Sequence, residues 1–373
     1  MNDVYLAQAS AVSSIGGSLD EMWPRLRAGE SAIGPVKRFQ TGRLGFHKAA
    51  CVNDLDGEPG NLTWELTERC LSQLGPIPRE TFVIWAGIKG VAEYVEARQA
   101  GLPFHGPRFP AQYREQVCQR LGLSGAGMEV NAACASSTAA LALGSAMIAQ
   151  GQCPSVLVAA ADAVTYFTFS GFSALKALSP GVCRPFDANR DGLALGDGAV
   201  ALLLLGAGAA GTQKNGPLAR VTGWGVANDA NHITGPARDG CGLVAAIEAA
   251  LRRARRSPEE IEAICGHGTG TVYNDAMELT SFERVFGPQW RAPLFSIKGA
   301  IGHTLGAAGG LEVAVCARAL AEKTVPATSG LQTPDPRAAG RASSTPQILA
   351  GGNVLTVNSG FGGVNAALIL EAV

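Results

Sequence analysis

The sequence carries little charge. Asp, Glu, Lys and Arg make up 16% of its 373 residues, against about a quarter in a typical globular protein. The 30 basic and 31 acidic residues nearly cancel. Because nucleic-acid phosphates are bound by clustered cations, this balance argues against a nucleic-acid-binding protein. The 47% of hydrophobic residues excludes a disordered chain and predicts a sizeable core.

Long hydrophobic runs and export signals are also missing. The longest apolar stretch, residues 199–210, is shorter than the about 20 residues that span a membrane. No Lys or Arg precedes Arg25, so the beginning does not resemble a signal peptide. The nine cysteines are scattered without a CxxC pair, which disfavours disulfide frameworks, zinc fingers and thioredoxin-like motifs. We expect a cytoplasmic protein with reduced thiols and no membrane contact.

Glycine, by contrast, is abundant, with 48 residues. Short β-type runs alternate with helices of small residues, a pattern typical of α/β proteins. Residues 82–86, 156–160 and 199–205 are predicted to be buried strands. Residues 136–150 are predicted to form a helix that Gly151 terminates.

The same order of elements occurs twice. Residues 206–217 contain small and turn-forming residues and are predicted to be a linker. After them, the β-type run at 218–227 resembles the run at 4–13, and a helical pattern follows each. We therefore predict two structurally similar halves, residues 1–212 and 213–373.

Cys134 is the first candidate for chemistry. It follows a strand-like run at 128–130 and immediately precedes the helix that starts near Ser136. The amide groups and the positive dipole at a helix N-terminus favour a thiolate, and the small neighbouring residues leave room for an acyl group. A lone cysteine is otherwise a small buried hydrophobe, which is our expectation for the other eight.

Two histidines occupy similar positions in the second half. His267 follows a β-type run, and His303 follows the predicted strand 294–298 and a glycine-containing turn. In α/β folds ligands bind where strands end and helices begin. Each histidine alone could be a structural residue, but together with Cys134 they predict one joint site. Cys265 could share a metal ion with His267, but no further ligands occur at zinc-like spacing, so we expect no metal.

Two further features belong with these residues. Lys298 lies in an apolar turn, where an ion pair with Asp275 or Glu278 would orient the histidines. The run NSGFGG at residues 358–363 has three glycines, which bring backbone N–H groups close to a ligand. It is predicted to supply an oxyanion donor or, alternatively, to be a plain hairpin turn.

Taken together, the motifs resemble the β-ketoacyl-ACP synthase family, the condensing enzymes with Cys-His-His catalysis. The resembling segments are AACASS around Cys134, CRPFDANRDGLALGDGA at 183–199, GHGTGT at 266–271, KGAIGHTLGAAGG at 298–310 and NSGFGG at 358–363. The resemblance implies an α/β fold of the thiolase type, a duplicated αβαβα five-layer sandwich.

The resemblance also implies a two-stage reaction. Cys134 would accept an acyl group from an acyl carrier protein (ACP) as a thioester. Malonyl-ACP would then lose carbon dioxide and attack that thioester, giving a β-ketoacyl-ACP in fatty acid or polyketide/polyene synthesis. His267 and His303 would donate hydrogen bonds to the malonyl thioester oxygen. Backbone N–H groups of Cys134 and Phe361 would form the oxyanion hole, and Phe361 would gate the acyl pocket.

Supporting roles follow from the same motifs. Lys298 with Glu278 would hold the histidines, with Asp275 as the other nearby carboxylate. Thr269 and Thr271 would line the tunnel for the phosphopantetheine arm of ACP, so no tightly bound cofactor is implied. The first half would carry the nucleophile and the second half both catalytic histidines.

The resemblance also bears on the partner of the protein and on its pathway. The resemblance implies a homodimer or a heterodimer with a related synthase-like subunit, and VYND after GHGTGT resembles synthases of type II polyketide or aryl-polyene pathways. One alternative is a non-catalytic or weakly active partner subunit similar to a chain-length factor, although such subunits normally lack the nucleophile. A thiolase would need a second cysteine near its C-terminus, and none follows Cys316.

Overall fold

The computed structural model describes residues 2–55, 61–88, 92–210 and 216–373. The predicted boundary at 212/213 therefore lies outside the described residues. In order along the chain, the strands are β1 (Val4–Ser13), β2 (Gly34–Pro35), β3 (Lys48–Ala49), β4 (Phe82–Ala86), β5 (Gly127–Val130), β6 (Ser155–Asp162), β7 (Gly198–Gly206), β8 (Ala219–Asn228), β9 (Ala263–Cys265), β10 (Leu294–Phe295), β11 (Thr324–Val325), β12 (Gln347–Ile348), β13 (Asn353–Gly360) and β14 (Val364–Glu371).

The α-helices are α1 (Leu19–Arg27), α2 (Leu62–Leu71), α3 (Ala92–Gln99), α4 (Pro110–Leu121), α5 (Ser136–Ala149), α6 (Tyr166–Ala174), α7 (Ala207–Ala210), α8 (Cys241–Ala254), α9 (Val272–Phe286), α10 (Lys298–Ile301) and α11 (Ala308–Glu322). Short 3₁₀ turns occur at Pro258–Glu260 and Leu305–Ala307. Within the described ranges, no helix has the length and apolar character needed to cross a lipid bilayer.

Ten strands form one hydrogen-bonded sheet in the order β10-β9-β13-β14-β8-β1-β7-β6-β4-β5. The two sets of five strands have the same order and directions, with antiparallel pairs next to the central β1–β8 junction and parallel pairs towards each edge. Helices α5 and α11 pack between the two sets, α2 and α4 cover the first set outside, and α8 covers the second with α9 packed on it. This is the predicted duplicated α/β sandwich of five layers.

The layering explains the composition of the strands. All eight residues of β6 are buried, and so are all but the last residue of β7. Strands covered by helices on both faces read as continuous apolar runs, because neither face meets water. The strands predicted at 82–86, 156–160 and 199–205 and the helix predicted at 136–150 are therefore confirmed, with ends shifted by a residue or two.

The central helices approach each other unusually closely. A Cβ atom on Gly309 of α11 would lie 1.8 Å from the hydroxyl oxygen of Thr138 on α5, so only glycine fits there. One prediction was wrong in its extent: the strand at 294–298 ends at Phe295, and Lys298 begins the short helix α10. The backbone has to turn there to bring Lys298 inward, where its side chain is buried.

Candidate active site

Cys134 lies in a tight loop directly before α5. Ala133, the preceding residue, has φ of +49°, a conformation that L-residues adopt only when the surroundings impose it. The side chain of Ser136 imposes it in part, accepting a hydrogen bond from the amide of Ala132 at 2.9 Å and donating one to the carbonyl of Ala133 at 2.6 Å. The loop presents the sulfur at the N-terminus of α5, where the helix dipole favours negative charge.

The other buried cysteines have different surroundings. All nine cysteines are thiols without a disulfide. Burial raises the pKa of Cys51, Cys70 and Cys183 to about 12 in each case, which keeps these thiols protonated and unreactive. Cys134, by contrast, lines a cavity together with His267 and His303.

His267 and His303 lie side by side. Their ring centroids are 5.0 Å apart with planes at 84°, and each side chain is 2% exposed. Burial lowers the pKa of His267 well below its usual value, and the nearby charge of Lys298 adds to this effect. His267 is therefore a neutral ring at neutral pH, able to donate one hydrogen bond and accept another.

The backbone holds His303 from both sides. Its amide donates to the carbonyl of Ala194 at 2.7 Å, and its carbonyl accepts from Gly196 at 3.1 Å. The amide of Leu305 donates to Nδ1 of His303 at 3.3 Å, so Nδ1 is an acceptor and the ring carries its proton on Nε2. The carboxylate of Asp162 fixes this turn by accepting from Gly306 at 2.7 Å.

Lys298 pairs with a carboxylate that the sequence did not indicate. Its ammonium forms an ion pair with Glu312 of α11 and donates to the carbonyl of His267 at 2.6 Å. The expected pairing with Glu278 or Asp275 is therefore wrong. Glu312 lies one turn into the apolar helix α11. The sequence signal that could have indicated it is an acidic residue within a run of small and apolar residues.

The expected carboxylates instead stabilise the GHGTGT loop. Glu278 accepts from the amide of Gly268 at 2.7 Å, and Asp275 accepts from Gly270 at 3.2 Å and from Phe186 at 2.8 Å. Burial, and then the nearby Asp275, raise the pKa of Glu278 to about 8. Both side chains therefore hold the backbone around His267 and do not reach Lys298 as ion-pair partners.

Asn358 connects these elements, a role that the sequence did not indicate. Its amide nitrogen lies 2.8 Å from Glu312 Oε2 and 3.0 Å from His267 Nδ1. Its amide oxygen accepts a hydrogen bond from the hydroxyl of Thr138 on α5. No local pattern could have indicated these contacts, because the partners lie 46, 91 and 220 residues away in the sequence.

The NSGFGG turn packs against the Cys134 loop. A Cβ atom on Gly360 would lie 2.6 Å from the carbonyl oxygen of Ala132 and 3.2 Å from the amide of Cys134. Glycine is required for this approach, which brings the backbone next to Phe361 close to the nucleophile loop. The Phe361 ring is 37% exposed and stacks on Phe172, with centroids 5.8 Å apart.

A cavity of about 430 Å³ connects the expected site residues. Its walls include Cys134, His267, His303, Thr269, Thr271 and Phe361. Lys298, Glu278 and Asp275 lie behind the wall and do not line it. Other residues that line the cavity had no signal in the sequence, among them Lys176, Asp229, His232 and Tyr273. Among the residues described, no group of three or more His, Cys, Asp and Glu side chains could hold a metal ion.

Two family profiles match more than half of this chain. Residues 93–210 match the family profile described as "Beta-ketoacyl synthase, N-terminal domain", and residues 218–332 match "Beta-ketoacyl synthase, C-terminal domain". A putative polyketide β-ketoacyl synthase 1 of Streptomyces halstedii is 33% identical over 74% of this chain and 68% of that protein. The 3-oxoacyl-[acyl-carrier-protein] synthase 2 of Coxiella burnetii is 27% identical over 99% of this chain and 98% of that protein.

Solved structures have the same fold. The ishigamide ketosynthase/chain length factor superposes with a TM-score of 0.89 at 28% identity, covering 100% of this chain and 99% of that chain. A chain of the structure described as the ketosynthase ApeO in complex with its chain length factor ApeC, from Xenorhabdus doucetiae, gives a TM-score of 0.84 at 26% identity. The match covers 100% of this chain and 98% of that chain.

These findings define a condensing enzyme with the thiolase-type fold. The chain belongs to the β-ketoacyl synthase family, which confirms the resemblance stated from its motifs. It is therefore an acyltransferase of the ketosynthase type, and its relatives include both fatty acid and polyketide synthases.

Proposed function

We propose that Cys134 is the nucleophile of a decarboxylative Claisen condensation carried out in two stages. In the first stage its thiolate attacks the carbonyl carbon of an acyl thioester on ACP. The bond from that carbon to the pantetheine sulfur breaks, and the sulfur leaves as a thiolate, which takes up the proton that Cys134 released. A thiolate suits this step because the resulting thioester is stable enough to persist and reactive enough to acylate carbon. The position of Cys134 at the N-terminus of α5 supports this role.

The backbone N–H groups of Cys134 and Phe361 stabilise the oxyanion that forms on the acyl carbonyl. The close approach of Gly360 to the Cys134 loop supports this pairing. The exposed ring of Phe361, stacked on Phe172, is suited to gate the entrance to the acyl pocket.

In the second stage malonyl-ACP loses carbon dioxide. The C–C bond to the carboxylate breaks, its electron pair forms an enolate on the thioester, and the enolate carbon attacks the acyl group on Cys134, whose sulfur leaves. His267 and His303 donate hydrogen bonds to the enolate oxygen. Lys298 acts as a positioning residue for His267, because it holds the backbone carbonyl of that residue while paired with Glu312.

The partners follow from this chemistry. ACP delivers both substrates on its phosphopantetheine arm, which passes Thr269 and Thr271, whose hydroxyls are 2.9 Å apart on the cavity wall. No tightly bound cofactor takes part. The protein acts in the cytoplasm as a homodimer or as a heterodimer with a related subunit. Residues 1–212 contribute the nucleophile and residues 213–373 contribute both histidines.

One observation above all supports the proposal: Cys134, His267 and His303 line the same cavity. The test is intact-protein mass spectrometry after incubation with a panel of acyl-ACPs. We expect one acyl mass added to the wild-type chain and none to Cys134→Ala, with Cys51→Ala as the control that is still acylated. Acylation of the Cys134→Ala variant would reject this nucleophile, and a wild-type chain inert with every acyl-ACP would favour a non-catalytic partner subunit.

A further inference from the structure

Asn358 is buried among groups that leave its amide one orientation. Lys298 contacts one oxygen of Glu312, and this ammonium opposes the rise in pKa that burial causes at the Glu312 carboxyl. The other carboxylate oxygen, Oε2, can then only accept a hydrogen bond. It faces Asn358 at 2.8 Å, so the group that Asn358 presents to it is the NH₂.

The orientation of the amide determines where His267 carries its proton. The same NH₂ group lies 3.0 Å from Nδ1 of His267, and its second hydrogen makes it a donor there as well. Nδ1 must then be an acceptor without a proton. Because the buried ring is neutral, its single proton lies on Nε2.

We infer that Asn358 is a positioning residue that fixes His267 in the Nε2–H tautomer, so that the ring offers a hydrogen-bond donor to the substrate. His303 reaches the same tautomer through the backbone amide of Leu305. The two histidines thus become equivalent donors by different means, one through the backbone and one through a side chain. This inference rests on the proposed function only for its catalytic consequence.

Asn358 also joins the two halves of the site. Its amide oxygen accepts from Thr138, on the helix that begins just after Cys134. The side chains of Asn358, Glu312 and Thr138 are fully buried. An amide that makes three hydrogen bonds in a dry environment is strongly oriented, because breaking any of them leaves a buried polar group unpaired.

The direct test is the ring protonation of wild-type protein, measured without substrate. In protein labelled with ¹⁵N at histidine, long-range ¹H–¹⁵N correlations distinguish protonated from unprotonated ring nitrogens, and His267→Gln assigns the signals. We expect Nδ1 of His267 to be unprotonated and Nε2 protonated. A proton on Nδ1, or a doubly protonated ring at neutral pH, would overturn the inference.

Asn358→Asp tests the cause. The variant keeps the shape of the side chain but replaces the NH₂ with an oxygen, so His267 is expected to shift towards Nδ1–H. The decarboxylation kcat should fall about 10²-fold, as for loss of one oxyanion donor, while acylation of Cys134 changes less than about 3-fold. The matched control is Asn353→Asp at the start of β13, whose NH₂ donates to a carbonyl away from the cavity. It should leave tautomer and rates unchanged.

Thr138→Val provides a milder variant if Asn358→Asp folds poorly. It removes the hydroxyl that donates to the amide oxygen of Asn358 but leaves the NH₂ of Asn358 in place. His267 should therefore stay in the Nε2–H tautomer, and the variant should keep most of its decarboxylation activity. An unchanged His267 tautomer in folded Asn358→Asp would contradict the inference. A wild-type protein that shows the expected tautomer but no decarboxylation would contradict the proposed function alone.

Discussion

The ammonium of Lys298 and the carboxylate of Glu312 form an ion pair whose two side chains are each 1% exposed. Removing two charges from water costs several kcal/mol for each ion, so a buried pair persists only when hydrogen bonds satisfy its remaining groups. Here the carbonyl of His267 and the amide of Asn358 do so. The pair therefore stabilises the backbone and the ring of His267, one of the two proposed donors to the substrate.

Removing one partner of this pair should destabilise the fold. We expect Glu312→Ala to lower the free energy of unfolding by about 3–5 kcal/mol, because it leaves the Lys298 ammonium buried without a counter-charge. Urea denaturation measures this loss. The double variant Lys298→Met with Glu312→Leu should recover much of the stability without recovering activity. Equal or greater instability in the double variant would contradict this account.

Loss of His303 should separate the two stages of the reaction. We expect His303→Ala to retain acylation of Cys134 but to lose decarboxylation by about 10²–10⁴-fold, because in the proposed mechanism the ring donates to the enolate and takes no part in the first stage. Acylation is measured by intact mass and decarboxylation by release of labelled carbon dioxide. His105→Ala, at an exposed position, is the control. If the His303→Ala variant lost only acylation, the role proposed for His303 would be wrong.

A methyl group on Gly360 should disturb the nucleophile loop. In Gly360→Ala the new Cβ would lie 2.6 Å from the carbonyl oxygen of Ala132, and backbone atoms have to move apart to relieve the contact. We expect a slower acylation of Cys134, measured by rapid quench and mass spectrometry. Gly171→Ala in α6 has open space around the added carbon and should acylate normally. Equal acylation rates in the two variants would mean that the close approach of Gly360 to the Cys134 loop is not required for acylation.

The buried Glu93 predicts a pH effect on stability. Burial raises the pKa of Glu93 from 4.5 to about 7, although it accepts a hydrogen bond from the amide of Thr63. Between those values the native state holds a proton that the unfolded state has released, so stability falls as pH rises through this window. Glu93→Gln should remove that loss. Its free energy of unfolding, relative to that of wild type, should rise by about 3 kcal/mol between pH 4 and pH 8.

Urea denaturation of both proteins at several pH values measures this difference. It should grow between about pH 4.5 and pH 7 and level off on either side. Glu115→Gln, at an exposed position of α4, should show no comparable change. A constant difference between Glu93→Gln and wild type across this range would mean that the carboxyl titrates normally in the folded protein.

Local signals were sufficient for part of the site. The position of Cys134 before α5 was predictable because a strand, a run of small residues and a helix start are all encoded within about twenty residues of sequence. His267 was predictable for the same reason, since it follows the end of β9. His303 was predicted from a strand expected at 294–298, although in the structure the short helix α10 separates it from β10. Glu312 was missed because ion-pair partners are chosen by distance in space, and α10 and α11 meet only after the chain has folded back.

The sequence by itself determined the alternation of strands and helices and the duplicated order, and it indicated Cys134, His267 and His303 as the candidate site residues, because periodicity, glycine placement and helix termini are properties of short segments. The tertiary structure alone decided which carboxylate pairs with Lys298 and which amide orients His267. These contacts join α5, α10, α11, β13 and the loop after β9. Their geometry depends on how the two sets of strands pack around the central helices, which no local pattern records.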